Sequence, residues 1–337
     1  MSKKLKEILT MAIIAAFCIV FYLGKMAGWQ PIEFSTTVSV IVIVLMVLSL
    51  VWILFLTLKG ALIERRIVFL YVGIALTLPL FMSLTQKINV SNEVKSIYDT
   101  LMELPPGSKV LVSFDYDPTT APELQPMAET FLSVCFQRDL KVIIMGLWPQ
   151  GPQQAILALN KVINSEQLAG KDIKYGVDYV NLGFQTGNEF VIQRMGTSFK
   201  SMFPTDFEGT PYDDLPLVKN VKNFSNIDYS MNLSAGFPGT VEWVQIAVDR
   251  YGVKLGCGNT AVQAPQVYPY LNAGQLNGIL GGMNGAAEFE KAANQPGKGT
   301  KYMLSQSFSH MVVIAFIIIG NIAFFMGGRK SALKGDS

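Results

Sequence analysis

The chain has 337 residues, 50% of them hydrophobic and only 15% charged, with a formal charge of +2 and a mean hydropathy of +0.34. Soluble domains carry about 25% charged residues, so part of this chain is expected in lipid, and the near-neutral balance excludes a broad basic field for nucleic acid. A single histidine, His310, and three cysteines exclude a multi-histidine metal site, a four-cysteine zinc site and a disulfide-rich scaffold.

Four stretches approach the roughly 20 apolar residues needed to cross a bilayer as a helix: Ile8 to Gly24, about Ser35 to Leu58, Ile67 to Leu84, and Met311 to Gly327. None contains Asp, Glu, Lys or Arg, and none has the polar face of a globular core helix. The first follows Lys3, Lys4 and Lys6 but has no small-x-small cleavage site directly after it, so it reads as a retained anchor rather than a signal peptide. Basic residues favour short cytoplasmic loops, and Lys3, Lys4, Lys6, then Lys59, Arg65, Arg66, then Arg329, Lys330, Lys334 all fall on one side. Both termini are therefore expected in the cytoplasm of a multi-pass plasma-membrane protein, with about Gln86 to His310 outside. With no ionisable pair in the helices there is no sign of an ion pathway, and Pro79 reads as a tolerated kink.

Between Lys109 and Glu290 short β-rich runs alternate with helical patterns. The strands are expected at Val110–Phe114, Val142–Leu147, Tyr179–Phe184, Asp228–Leu233 and Val253–Cys257, and the helices at Pro122–Arg138, Gln153–Ile163, Glu189–Met202, Thr240–Tyr251 and Tyr268–Ala293. Five such units give an open, mainly parallel five-stranded doubly wound sheet, interrupted by an irregular excursion over Phe203–Asn226. The expected fold class is thus an integral membrane α-helical part with four transmembrane helices plus an extracytoplasmic α/β domain. Its parts are 1–86 with three helices, 87–306 as the outer domain, and 307–337 with the fourth helix and a short basic tail.

Open α/β sheets bind ligands outside the carboxyl ends of their strands. The turns there supply a candidate ligand-binding crest: Asp115, Asp117, Thr119, Trp148, Thr186, Asn188, Ser234, Gly236, Asn259 and Thr260. No turn carries the Gly-x-Gly-x-x-Gly or Gly-Lys-Ser/Thr signature of nucleotide binding, and no cofactor or metal is expected. The run Val110-Leu111-Val112-Ser113-Phe114 followed by Asp115-x-Asp117-x-Thr119 resembles the first motif of haloacid dehalogenase-type phosphatases. That resemblance implies Asp115 as nucleophile and Asp117 as acid/base. The second strand ends Gly146-Leu147-Trp148-Pro149, without that family's Ser or Thr, and Asp213 and Asp214 follow no strand. The same two carboxylates also suit a divalent cation with a phosphate ligand, or turn formation and capping alone. No catalytic residue is assigned. Cys135 and Cys257 are expected as free, buried thiols.

The segment Gly274 to Ala287 is dense in small residues for a helix, where each glycine costs about 1 kcal/mol against alanine. Gly274, Gly278, Gly281, Gly282 and Gly285 are therefore expected to form a close-packing stripe, either onto the sheet or against a partner. Three function classes follow: a scaffold or assembly subunit of a homo-oligomer or larger membrane complex, an extracytoplasmic small-ligand sensor, and a membrane-tethered hydrolase or transferase. The expected partners are membrane lipid, further copies or other membrane subunits, and a small ligand under the second class; nucleic acid is not among them.

Overall fold

The computed structural model describes residues 34–59, 65–82 and 87–332, so the first apolar stretch, Ile8 to Gly24, lies outside the described residues. The chain divides into two compact units, Met1–Leu84 with Ser305–Ser337, and Thr85–Leu304.

In the first unit α1 covers Thr36–Leu58, begun by Ser35, whose side chain accepts from Val38 N. Helix α2 covers Arg65–Thr77 and tightens into a single 3-10 turn, Leu78–Phe81, where Pro79 removes a backbone donor. Met46 and Leu50 of α1, Ala75 of α2 and Val312 of the last helix make a small buried cluster. Tyr71 packs edge-on to Phe316 with ring centroids 5.7 Å apart. Much of the remaining surface is large and apolar, including Leu45, Leu48, Trp52, Phe69 and Leu70. Thr36–Leu58 and Lys298–Phe325 are long and apolar enough to cross a membrane, and Arg66–Phe81 is a shorter apolar helix.

The second unit is an α/β domain. In chain order it runs α3 (Asn92–Glu103), β1 (Lys109–Asp115), α4 (Ala121–Gln137), β2 (Lys141–Gly146), α5 (Gly151–Ile163), β3 (Tyr179–Phe184), α6 (Glu189–Met195), α7 (Phe199–Met202) and β4 (Tyr229–Ser234). Then follow α8 (Thr240–Trp243), a π-turn (Val244–Val248), α9 (Asp249–Tyr251), β5 (Leu255–Asn259), α10 (Ala264–Asn272), β6 (Gly278–Gly281), α11 (Gly282–Ala292) and the first turns of the long α12 (Lys298–Ala332), which from Ser305 onward belongs to the first unit. The strands lie in the order β3-β2-β1-β4-β5-β6, every pair parallel. That is the doubly wound, Rossmann-like order, with its reversal between β1 and β4. Strands buried on both faces read as near-continuous apolar runs, as Val110–Val112 and Val142–Met145 do. Residues Val110, Val112 and Phe114 face α3, α4, α5 and α11, where Phe131 and Phe289 stack 6.3 Å apart. Leu111, Ile143 and Leu255 face the other layer, with Val191 of α6, Trp243 of α8 and Val267 of α10.

The sheet has six strands rather than five, because the helix expected over Tyr268–Ala293 is three elements. Helix α10 ends at Asn272, β6 follows, and α11 starts at Gly282. The open edge of β5 takes the short segment as a partner, Asn277 N donating to Leu255 O at 2.8 Å and Gly256 pairing with Gly278. Tertiary pairing thus overrides the helical appearance of the sequence. The five glycines accordingly share no helix face. Gly274 is an exposed turn residue, Gly278 and Gly281 end the strand, and Gly282 and Gly285 begin α11. A Cβ on Gly278 would sit 2.2 Å from Glu93 O, and Gly282 has φ +57° with Ala261 Cβ beside it. Close approach within the domain explains Gly278, Gly282 and Gly285, and a positive φ of 76° explains Gly274. The helix expected over Glu189–Met202 also breaks, into α6 and α7, where Ser198 caps the second piece through Ser201 N.

Helix α11 holds both ends of the domain. Its Glu288 accepts from Ser91 N at 2.8 Å and Ser91 Oγ at 2.5 Å, at the start of α3. Its Glu290, 1% exposed, accepts from Gly297 N (2.9 Å), Gly299 N, Thr300 N and Thr300 Oγ1 (2.7 Å each), at the start of α12. Both carboxylates thus satisfy the free N–H groups of a helix N-terminus and oppose its positive dipole end. Glu290→Ala is expected to lower domain stability by about 2–3 kcal/mol, the scale of losing hydrogen bonds to a charged group. Hydrogen exchange on the full chain in detergent should show Gly299 and Thr300 amides losing protection while the β1 amides keep theirs.

Candidate functional site

The reversal between β1 and β4 is where a doubly wound sheet opens a crevice, and Asp115 ends β1 there. Parallel pairing sets Ser113 beside Asn232 and Asp115 beside Ser234, then Asn232 beside Cys257 and Ser234 beside Asn259. Residues paired in this way project from the same face, so three strands contribute one row of polar side chains. The row is buried: Ser113, Asp115, Asn232, Ser234 and Asn259 are each no more than 1% exposed.

Asp115 has all of its carboxylate capacity engaged. Leu147 N donates to Oδ1 at 2.7 Å, Asn232 Nδ2 and Trp243 Nε1 donate to Oδ2 at 2.6 and 3.2 Å, and Ser113 Oγ lies 2.8 Å from both oxygens. Burial pushes its carboxyl up to about 7, and the donors from Leu147, Ser113, Trp243 and Asn232 pull against that shift. The network continues sideways. Thr240 Oγ1 donates to Asn232 Oδ1 at 2.6 Å and accepts from Asn259 Nδ2 at 2.8 Å. Asn259 Nδ2 also reaches Gln263 Oε1 at 3.0 Å, and Gln263 Nε2 donates to Gly236 O at 3.2 Å. Gly236 N in turn donates to Ser234 Oγ at 3.3 Å. Thr260, also buried, starts α10 by accepting Gln263 N and Ala264 N on its carbonyl. Asn259 Oδ1 is buried without a protein donor.

The structure therefore brings Asp115, Ser234, Gly236, Asn259 and Thr260 together, with Trp148 at their margin, where its Nε1 donates to Pro238 O at 2.9 Å. The rest of the expected crest stands apart. Asp117 accepts from Thr119 N at 2.9 Å and Thr119 Oγ1 at 2.5 Å in a surface turn, and the Thr119 hydroxyl is the main reason its carboxyl lies below the usual range. Thr186 and Asn188 are exposed after β3, two strands from β1. Asp213 and Asp214 belong to a separate 3-10 turn, where Asp213 pairs with Lys200. The arrangement opposes the phosphatase-like reading of β1, since a nucleophile must meet its substrate and Asp115 is 0% exposed. Tyr116 OH binds Gln125 Oε1 at 2.7 Å with the ring buried, so an aromatic side chain occupies the turn that is glycine-rich in dinucleotide folds.

Above the network the loops carry exposed apolar side chains, Phe237 at 63% and Val262 at 85%. On the opposite layer a groove of about 520 Å³ opens among Glu129, Ser133, Lys161, Glu166 and Lys298, away from the crest residues. Cys135 and Cys257 are free and buried, and burial raises both thiols. Among the described residues no three His, Cys, Asp or Glu side chains come together as a metal site. No protein-family model, no curated protein and no solved structure matches the chain.

Five network members were not anticipated: Ser113, Asn232, Thr240, Trp243 and Gln263. Their signal is present in β1 and β4, where Ser113 and Asp115, and Ser230, Asn232 and Ser234, recur at every second residue of otherwise apolar strands. A polar row on a central strand implies a buried network, because such groups need partners.

The raised Asp115 carboxyl has a definite sign. Between the ordinary value near 3.8 and about 7 the folded state holds a proton that the unfolded state has released. Stability should therefore fall as pH rises from about 4 to about 7, by up to about 4 kcal/mol, and level off above. Denaturant titrations across that range test it. Asp115→Asn should flatten the slope while lowering stability at every pH, since its amide would face a donor.

Proposed function

We propose that the protein is a membrane-anchored scaffold whose outer α/β domain docks onto another protein of a membrane complex. The supporting observation is the use made of the carboxyl ends of the central strands β1 and β4. Most of the polar groups a catalyst or receptor would present there are bound to one another, while the loops above them offer Phe237 and Val262 to solvent. The loop bearing Phe237 is held by Trp148 and Gln263, so the apolar surface is rigid before any partner arrives. Tethering at both ends of the domain, through the Glu288 and Glu290 contacts, suits a part that must hold a fixed position. In this reading all four apolar stretches span the membrane, both termini are cytoplasmic, and the α/β domain is outside, as the distribution of Lys and Arg favours. A sensing role draws support from the groove beside Lys161 and Lys298 rather than from the crest.

Two measurements test the proposal. Lys219→Cys should react with an impermeant maleimide in intact cells, and Ser331→Cys only after lysis; the reverse pattern would invert the topology. In mild detergent the native protein should migrate well above monomer size with a second protein. Phe237→Asp with Val262→Asp should release that protein without changing the thermal melt, both being exposed positions where substitutions cost little stability. Isolation of the native chain with no associated protein would refute the scaffold.

A further inference from the structure

Among the described residues of the membrane unit, Asn321 is a polar side chain on an otherwise apolar, open helix face. Asn321 lies on α12 within the span Lys298–Phe325 and is exposed. At about 100° per residue it sits opposite Val312 and Ile319, the buried residues that turn α12 toward its neighbours at 0% and 5% exposure. The face around it is open and apolar, with Ile314 at 55%, Ile317 at 57% and Phe324 at 75% exposure. The Asn321 Nδ2 donates to Ile317 O at 2.8 Å, one turn back. That bond leaves a second N–H and two lone pairs on Oδ1, which acyl chains cannot satisfy.

The sequence around Asn321 has a second regularity. Ile314, Ile317, Asn321 and Phe324 are spaced by three, four and three residues, the a/d pattern of a helical seam, with Asn321 at an a position. We infer that α12 pairs in parallel with α12 of a second copy, Asn321 against Asn321. The chemistry selects that occupant. A carboxamide carries donor and acceptor together, so two copies satisfy each other, and identical chains inserted in the same sense bring Asn321 to the same depth. A single buried Asn at an a position fixes register and favours two strands. The inference rests on reading α12 as membrane-spanning and is independent of what docks at Phe237 and Val262.

Cysteine scanning of α12 in the full chain, in native membranes and with Cys18 replaced by serine, tests the pairing. Under a mild oxidant, Ile314→Cys, Ile317→Cys, Asn321→Cys and Phe324→Cys should give disulfide-linked homodimers, while Ala315→Cys, Ile319→Cys and Ile322→Cys should not. Asn321→Leu should weaken self-association about tenfold in a dilution series, the scale of an interhelical carboxamide contact, with partial recovery in Asn321→Gln. A flat scan would overturn the inference, as would crosslinking of Asn321→Cys to the chain's own first apolar segment or to a different protein. The last result would leave the scaffold reading standing. Release of the docked protein by Phe237→Asp with the crosslinks at 314, 317, 321 and 324 unchanged would separate the two in the other direction.

Discussion

A carboxylate with no exposed surface must be met by donors from the protein itself, and Asp115 meets that requirement at the centre of the sheet. Its partners come from the end of β1, the loop after β2, the middle of β4 and helix α8. Each donor fixes the direction of the element that carries it. The donors gathered on this one group link β1, the loop after β2, β4 and α8 across the chain reversal at β1/β4. The neighbouring amides extend the tie to β5 and α10, so the carboxyl edge behaves as a single hydrogen-bonded plate. Hydrophobic packing on both faces supplies the mass of the stability, and the network decides how the elements meet.

Two other buried carboxylates serve the domain's connections. Glu288 and Glu290 are two residues apart on α11, yet one closes the start of α3 and the other the start of α12. Helix α11 itself is held by close glycine contacts, Gly285 lying where a Cβ would meet the Leu280 backbone at 2.6 Å. A shift of α11 would therefore be felt at both places where the chain leaves the domain. That coupling follows from helix N-termini needing acceptors.

These constraints bear on function by subtraction and by surface. Most of the polar row at the carboxyl ends of β1, β4 and β5 is hydrogen-bonded within the protein, and the loops above it carry the exposed Phe237 and Val262. The long helix α12 has one packed face, marked by Val312 and Ile319, and one open face, marked by Asn321. An assembly component needs surfaces of this kind. Asp115 itself has no exposed surface.

Composition and periodicity alone determined much of this. An apolar run such as Ile41–Leu50 has no alternative to a helix exposed on nearly all sides, and the alternation from Val110 to Val253 specifies β-α-β winding because strands and helices have different periods. Cys135 and Cys257, expected free and buried with one inside a helix and the other at a strand end, are free and buried in the fold. What sequence could not decide was β6, since Gly278–Gly281 has too few residues to declare a period and becomes a strand only because β5 offers an unpaired edge. Nor could it decide the fate of Asp115. The same Asp-x-Asp turn is reactive when open and structural when closed, and the closing groups, Asn232 and Trp243, are separated from it by 117 and 128 residues. Local pattern sets which elements form, because period and propensity are local. Which polar groups meet is set by tertiary packing, because burial is shared by residues far apart in the chain.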